Sequence, residues 1–406
     1  MTLTAPTPVV RAATRPLSFA ALSILTALTA IAPLSIDMYL PGFPAMVTEL
    51  GATSSAIQLT MTTFLLGMAI GQLVIGPLSD AMGRRLPLIA GSVLCLVATV
   101  VCAVAPDATL LAVARFAAGF GGAAGIVLAR AMISDTAEGP AVARLLGVLS
   151  VIGVIAPVIA PLAGGAITTA GGWRAVFWVL AALLAVLLVG VLIWGRETLP
   201  RERRTRGGLK AVFASAGEVL RNRAYVGYVL VFGFSSAALF AYISASPFVI
   251  QTMLGFDAGT YSLLFALNAV AITATSAAAA ALAGKVELRR MIGIGLTVAV
   301  VAAFVLLLLA LSGVPTLPTL IAFGVLQASM GFIFGNATTL AVGQAAEHAG
   351  TASAFLGFLQ FILAAATAPV VGLAGEASAV PMGIAMVVAM IVAVWAFGFA
   401  KRPRTR

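Results

Sequence analysis

The chain has 406 residues, of which 62% are hydrophobic and 9% are charged, and its formal net charge at pH 7 is +10. Soluble domains carry about 25% charged residues, so this chain could not cover itself with polar surface, and the soluble globular class is excluded. The basic residues fall in loops and tails between apolar runs. That placement indicates membrane topology and anionic lipid rather than nucleic-acid binding.

The first apolar run extends from Leu17 to Leu40, after Arg11 and Arg15. The segment 26–30 resembles a small-residue cleavage site. However, the run is longer than the apolar core of a signal peptide, which has about 7–15 residues, and further runs follow it. We therefore predict a retained membrane helix.

Twelve apolar runs, this one included, are each long enough at about 1.5 Å per residue to cross a hydrocarbon core about 30 Å thick. Barrel strands are excluded, because they have about ten residues of alternating polarity. The sequence predicts an all-α membrane protein with twelve transmembrane helices. The predicted spans lie near residues 17–41, 55–79, 86–106, 108–133, 142–168, 174–195, 224–250, 259–284, 289–312, 316–343, 350–374 and 380–400.

An even number of spans places both chain ends on one side of the membrane, and the basic residues select the side. With both ends in the cytoplasm, the outer loops hold Arg174 as their only basic residue, beside the acidic Glu49, Asp107, Asp257 and Glu376. Because basic residues favour cytoplasmic loops, we predict that both termini are cytoplasmic, in the plasma (inner) membrane.

The longest polar interruption, 196–223, divides the spans six and six. We predict an N-terminal six-helix bundle at 1–195, a cytoplasmic linker, and a C-terminal six-helix bundle at 224–406. Such a duplication suggests a central site between the halves. Apolar residues from Leu209 to Leu220 repeat at helical spacing, which favours an amphipathic helix on the inner leaflet. A plain flexible linker is the alternative.

Few residues suit metal, redox or nucleotide chemistry. Cys95 and Cys102 share one helix face inside an apolar run, and we interpret them as apolar filler. The lone His348 is interpreted as a solvated loop residue. No disulfide framework or metal cluster is available, and Gly284-Lys285 lacks the spacing of a phosphate loop. Transport would need no cofactor and would be driven by an ion gradient, or it would be passive.

Asp37 is the only acidic residue placed within a predicted span. An ionised side chain at the centre of a membrane helix costs about 2.5–3.5 kcal/mol. We therefore expect this carboxyl to face a cavity and to be driven toward its protonated form. A group that binds either a proton or a cationic substrate, but not both, is the minimal chemistry of an antiporter. The alternative is an interfacial residue hydrogen-bonded to backbone that Pro41 leaves free.

Arg115 lies about two turns into the fourth span, near small residues such as Gly119 and Gly125 that would let another helix approach closely. A guanidinium there needs an acceptor or must reach water, and a snorkelling Arg at the outer interface is the alternative. Arg130 lies about 22 Å further along the helix at 1.5 Å per residue. We interpret it as structural, paired with Asp135.

The fifth span carries a stripe of small and helix-distorting residues. Gly153, Pro157 and Pro161 are four residues apart, and Gly164 and Gly165 follow. The stripe predicts a bendable, closely packed helix, suited to a protein that rocks between two openings. Static packing is an equally open alternative.

Polar residues are sparse within the spans of the second half. Together with three aromatic residues they are candidates for the lining of a mixed polar and aromatic cavity, although each polar one also fits an interhelical hydrogen bond. The candidates are Tyr39, Phe64, Tyr242, Ser246, Phe248, Asn268, Gln327, Asn336, Gln344 and Gln360.

The charged residues between Glu49 and Asp107 are confined to one turn within the segment Gly76-Pro77-Leu78-Ser79-Asp80-Ala81-Met82-Gly83-Arg84-Arg85. This segment resembles the loop motif between the second and third helices of the major facilitator superfamily. In that family the motif helps to hold the cytoplasmic side closed. The matching residues are Gly76, Asp80, Gly83, Arg84 and Arg85.

Further segments resemble the same family, so that the resemblance covers nearly the whole chain. Arg115 through Gly119 is similar to its fourth-helix motif, whose Arg is associated with proton coupling. Ala160-Pro161-Leu162-Ala163-Gly164-Gly165 is similar to its fifth-helix antiporter motif, although Ala160 replaces the usual Gly. The resemblance implies the fold of that family and a secondary transporter.

Narrower segments resemble the bicyclomycin and chloramphenicol resistance (Bcr/CflA) branch of drug exporters. They are Ser35–Pro41, Ala241–Phe248 and Gly350–Phe355. Some related exporters carry a second acidic residue about two turns before the Asp37 position. Thr29 stands there in this chain, so coupling from the first helix would fall on Asp37 alone.

The residues and the resemblance together predict a drug or antibiotic exporter driven by proton antiport, not an enzyme. Its partners would be a small drug-like molecule, protons and the lipid bilayer, with no nucleic acid, and it would function as a monomer. Asp37 would switch between proton and substrate, Arg115 would bias its protonation, and the turn of 76–85 would latch the inner gate. One alternative is export of an endogenous metabolite, such as an amino-acid derivative or sugar. Another is a membrane enzyme acting on lipid, which would need clustered carboxylates, His or metal ligands.

Overall fold

The protein is a bundle of long helices. The computed structural model describes residues 17–136, 140–204, 217–345 and 349–400, and in these ranges eleven helices are long and apolar enough to cross a membrane. One of them, Pro140–Trp194, has 55 residues and bends at Gly172. Because a straight helix of that length would measure about 82 Å, it crosses twice. The described residues therefore form twelve spans, which confirms the predicted fold class.

The helices are numbered here in chain order. The short helix α2 follows a 3-10 turn at Leu40–Gly42, and a π-helical turn at Phe248–Met253 continues α7. The helices are α1 (Phe19–Asp37), α2 (Phe43–Leu50), α3 (Ser54–Met82), α4 (Arg85–Val104), α5 (Ala108–Thr136), α6 (Pro140–Trp194), α7 (Arg223–Pro247), α8 (Ala258–Leu282), α9 (Leu288–Leu311), α10 (Thr316–Gly343), α11 (Ala349–Val371) and α12 (Val380–Phe399).

Side-chain caps fix several helix starts. Ser18, Thr53 and Asp257 each accept a backbone N–H from the first turn of α1, α3 and α8, which satisfies donors that the helix itself leaves free. Asp107 accepts from the backbone N–H of Leu110 at 2.8 Å and so caps the start of α5 after the end of α4. The predicted surface helix falls largely on 209–216, and this segment and His348 lie outside the described residues.

Large apolar side chains cover the outside of the bundle. Val113, Val186 and Leu308 are each more than 60% exposed, and they stand on three different helices. A soluble protein rarely exposes so much contiguous apolar surface, whereas lipid tails would cover it. The protein is therefore a multi-pass membrane protein.

The two ends of the bundle differ in their contacts. The end at the Gly172 bend is here named the kink end. There Glu49 accepts the indole N–H of Trp173 at 2.9 Å and pairs with Arg174. The other end carries the turn of Met82–Arg85 between α3 and α4 and is named the turn end.

Helices α1 to α6 pack mainly on one another, as do α7 to α12. The two groups meet toward the kink end. There the Gln58 side chain donates to the Ser244 carbonyl at 3.0 Å, and the Thr62 hydroxyl donates to the Ala365 carbonyl at 3.1 Å. These contacts close that end, and a cavity remains between the groups toward the turn end.

Candidate functional site

The cavity between the two groups of helices has a volume of about 690 Å³. It reaches from the middle of the bundle toward the turn end, and its walls come from α1, α5, α6, α7, α8, α10 and α11. Most of the wall is apolar and aromatic, with Phe240, Phe265, Phe334 and Phe361 among the lining residues. A cavity of this size and character suits a drug-sized amphipathic molecule.

Asp37 is the last residue of α1, is 5% exposed and lines the cavity. Of the described residues that line the cavity, it is the only acidic one. Among the described residues it has no hydrogen bond or ion pair, including with the backbone near Pro41. Its carboxyl group is therefore available to a proton or to a molecule in the cavity.

Several polar side chains interrupt the apolar wall. Asn268 donates to the Tyr242 hydroxyl at 2.7 Å, and both residues line the cavity. Gln327 and Gln360 line it as well, and the side-chain oxygen of Gln327 is buried with no partner in the described part of the chain. The wall can therefore form hydrogen bonds with a few donors and acceptors of a bound molecule.

Several other candidates from the sequence lie outside this cavity. The ring of Phe248 packs 5.9 Å from that of Phe43, between centroids. Asn336 donates to the carbonyl of Phe332 at 2.8 Å, within its own helix. Ser246 lies within hydrogen-bonding distance of another hydroxyl, that of Tyr261, at 3.2 Å.

Arg115 lies inside the first group of helices and is 1% exposed. Its guanidinium carbon is 4.3 Å from the ring centroid of Tyr39 and 4.1 Å from that of Phe64. Two aromatic faces, rather than a carboxylate, therefore stabilise the charge. Its Nε and Nη2 have no hydrogen-bond partner among the described residues. Tyr39 and Phe64 thus belong to this cluster and not to the cavity wall, and Tyr39 is two residues beyond Asp37.

The small residues of α5 bring neighbouring helices close, which confirms the predicted close approach. A Cβ added at Gly119 would collide with the Phe64 carbonyl, and one added at Gly125 would lie 2.9 Å from the Leu28 carbonyl. Helix α5 is therefore packed directly against α3 and α1.

The stripe on α6 serves two different surfaces. Toward the kink end, a Cβ added at Gly164 would collide with the backbone of Met38, and one at Gly165 with the hydroxyl of Ser262. Toward the turn end, Gly153 and Pro157 line the cavity, and a Cβ at Gly153 would meet nothing within 4 Å. The stripe thus combines close packing at one end with cavity wall at the other, and the buried Pro161 lies between the two parts.

A network of hydrogen bonds holds the turn of 82–85 at the turn end. The Arg84 guanidinium donates to Ser79 at 2.7 Å, to Asp80, and to Asp135 at 3.0 Å. Asp135 also accepts from the hydroxyl of Thr198 at 3.1 Å. From the sequence, Asp135 was interpreted as the partner of Arg130. In the structure Asp135 instead bonds to Arg84, and Arg130 lines the cavity.

Glu197 completes this network and was missed by sequence reasoning. Its carboxylate accepts from the backbone N–H groups of Arg84, Arg85 and Leu199 at 2.8, 3.3 and 3.0 Å. It lies more than a hundred residues from the turn. The only available signal was an acidic residue at the start of a basic interruption.

Membrane-crossing helices surround a central cavity, and a network of charged residues connects several of them at one end. This architecture is that of a membrane transporter. The chain belongs to the Major Facilitator Superfamily, whose sequence model matches residues 25–369. This confirms the predicted family, and with it a transporter rather than an enzyme. Members of this family carry small molecules across membranes and generally need no cofactor.

Two of the relatives have names that refer to drug resistance. The chain is 36% identical over 376 residues to the uncharacterized MFS-type transporter YdgK of Bacillus subtilis (strain 168), covering 92% of this chain and 93% of that one. It is 29% identical to the bicyclomycin resistance protein homolog of Haemophilus influenzae, covering 92% and 94%. It is 33% identical to the multidrug resistance protein MdtL of Klebsiella pneumoniae (strain 342), covering 82% and 83%. These relatives confirm the predicted branch.

Solved structures share the fold at low sequence identity. A D-xylose-proton symporter superposes with a TM-score of 0.75 at 16% identity, covering 94% of this chain and 98% of that one. A bacterial homolog of the human lysosomal transporter Spinster, in an inward-facing and occupied conformation, gives 0.72 at 17%, covering 93% and 95%. At these identities the likeness shows the fold alone.

Proposed function

We propose that the protein exports drug-like molecules across the plasma (inner) membrane in exchange for protons, as a monomer with both termini in the cytoplasm. Relatives named for resistance to bicyclomycin and to multiple drugs support this substrate class. The largely apolar cavity supports it as well, because such walls offer contact area with few fixed hydrogen-bonding partners.

The observation that carries the proposal is the single carboxyl group that the described residues bring to the cavity lining, that of Asp37. A proton bound there removes the charge that would attract a cationic or hydrogen-bond-donating group, and such a group bound there disfavours the proton. Loading of substrate from the turn end would therefore release a proton, and a proton arriving from the kink end would displace the substrate.

Alternating access would come from rocking of the two bundles, 1–195 and 224–406, about the cavity. In this structure the contacts between them lie at the kink end, so the cavity is reached from the turn end, which is cytoplasmic in the proposed topology. The network around Arg84 makes α3, α4, α5 and the start of the linker one unit, and this unit would latch the inner gate by docking on the second bundle when the turn end closes.

Arg115 would bias the proton affinity of Asp37. Its buried charge lies against Tyr39, two residues beyond Asp37, and a cation that comes near a carboxyl group favours the ionised form of that group. A shift of α1 along α5 would change this influence between the two conformations.

The test is proton release by the purified protein on addition of drugs. We expect release by the wild type and by Asp37→Glu, and none by Asp37→Asn with binding of neutral drugs retained. Undiminished pH-dependent transport by Asp37→Asn would remove Asp37 from the mechanism. A deletion strain that accumulates a metabolite while its drug susceptibility is unchanged would replace drug export with metabolite export.

A further inference from the structure

Arg130 is a charged residue of the cavity wall to which the proposed exchange assigns no role. It stands on α5 in the turn-end part of the cavity, where Leu149 and Ser276 also line the wall. It has no hydrogen bond or ion pair with any other described residue. Asp135, the carboxylate nearest to it along the helix, instead bonds to Arg84. Arg130 is exposed to the cavity, so its guanidinium is accessible to a molecule that enters there.

Asp37 is too far away to neutralise Arg130. Helices α1 and α5 cross where Gly125 meets Leu28. Asp37 is nine residues from this crossing toward the kink end, and Arg130 is five residues from it toward the turn end. At 1.5 Å per residue the two charges are about 20 Å apart along the bundle, whereas an ion pair requires nitrogen and oxygen within about 4 Å of each other. The turn-end part of the cavity is therefore positive.

The surroundings of Arg130 fit a carboxylate attached to an apolar body. A guanidinium recognises a carboxylate with two parallel hydrogen bonds, and Ser276 and Gln360 offer further donors from facing helices. Phe334 and Phe361 provide apolar and aromatic contact beside these groups. Gln327, whose side-chain oxygen has no partner among the described residues, is a further polar residue of the wall.

We propose that Arg130 binds the carboxylate of the transported molecule, so that the substrates of this exporter are amphipathic organic carboxylates. This inference rests on the proposed export function and specifies its substrate class. Arg130 is on the path by which molecules enter from the turn end, so it selects for anionic and zwitterionic molecules and against simple cations.

The test uses two probes that share one body and differ in charge, dansyl-phenylalanine and its methyl ester. Their fluorescence reports entry into the apolar cavity of the purified full-length protein. We expect the carboxylate to bind more tightly than the ester, and more weakly as salt is raised. Arg130→Gln should weaken carboxylate binding by about 10- to 100-fold, the size of a charge-assisted hydrogen-bonded pair, and leave ester binding unchanged.

Arg290→Gln is the matched control, since it removes the same charge from an exposed position on α9 and should change neither affinity. Equal weakening of both probes by Arg130→Gln, or of neither, would overturn the inference. So would a wild-type protein that binds the ester but not the carboxylate. None of these results tests the proposed export function itself. That proposal is contradicted separately, if no compound of the drug panel triggers proton release.

Discussion

The carboxylate of Glu197 accepts a hydrogen bond from the backbone N–H of Arg84, with 2.8 Å between oxygen and nitrogen. The same carboxylate accepts from the next backbone N–H, that of Arg85, and so caps the start of α4, where a negative charge is favoured. Because Glu197 begins the segment that joins the two groups of helices, this contact ties the turn of 82–85 directly to that segment.

The first prediction concerns Glu197→Gln. Partial burial alone would raise the pKa of Glu197, but the N–H groups of Leu199, Arg84 and Arg85 and the charge of Arg204 outweigh it and hold the pKa below its ordinary value. The ionised carboxylate therefore stabilises the fold above the ordinary Glu pKa of about 4.3, and this contribution is lost as pH falls through the lower folded value. We expect Glu197→Gln to lower the thermal unfolding temperature at pH 7 and the deficit to shrink below about pH 4.

The measurement is thermal unfolding in detergent across this pH range. Glu202→Gln, on an exposed 3-10 turn a few residues away, is the control and should match the wild type throughout. A deficit for Glu197→Gln that stays constant with pH would show that the charge of Glu197 contributes nothing.

The second prediction compares two glycines of the turn-end segment. Gly83 has φ of 99°, a conformation that strains any residue with a side chain, and a Cβ there would collide with the Glu197 carboxylate and lie 2.6 Å from Arg204. A Cβ at Gly76 would have only an ordinary 3.8 Å contact with Val127. We expect Gly83→Ala to destabilise the protein by about 1–3 kcal/mol, and Gly76→Ala to have little effect. Similar unfolding temperatures for the two variants would contradict this reading of the turn.

The sequence predicts the spans well because the bilayer imposes one simple requirement on them. A helix such as α9 must be a stretch of about 20 predominantly apolar residues whatever it packs against, and charges such as those of 80–85 are left to the loops. The same requirement means that the sequence does not show how the helices pack on one another. Since lipid and protein interior are both apolar, apolar periodicity does not show which face of a helix is inside.

The lining of the candidate site was therefore predictable only in part. Asp37 and Asn268 stand out in apolar spans and line the cavity. Tyr39 and Phe64 look like equally good wall residues, yet their rings cover Arg115. That arrangement depends on the rotation of three helices about their axes, which no local pattern of residues specifies.

The third prediction tests these rings. Tyr39→Leu removes an aromatic face 4.3 Å from a buried guanidinium, where a cation–π contact is worth about 2 kcal/mol. Tyr39→Phe keeps the ring and loses only a hydroxyl that is 3.3 Å from that of Thr60. We expect the Leu variant to unfold at a clearly lower temperature and the Phe variant to remain near the wild type. Equal losses for both would mean that the hydroxyl, and not the ring, stabilises this cluster.

The fourth prediction concerns Gly372, which follows α11 at the kink end. A Cβ there would collide with the side-chain oxygen of Gln58 and lie 2.8 Å from the hydroxyl of Ser55. Gly372→Val should therefore separate α11 from α3 and break the hydrogen bond from Gln58 to the Ser244 carbonyl. Because these contacts close the kink end, we expect the variant to populate a form in which that end is open.

The readout is the distance between spin labels at Ala45 on α2 and Ala377 after α11, in a background without Cys95 and Cys102. The variant should gain a population at longer distance than the wild type, which shows that the contacts of Gly372 keep the two groups of helices together. Gly335→Val is the control, since a Cβ at Gly335 meets nothing within 4 Å, and its distance distribution should be that of the wild type. An unchanged distribution in Gly372→Val would mean that the kink end is closed by other contacts, such as the bond between Thr62 and the Ala365 carbonyl.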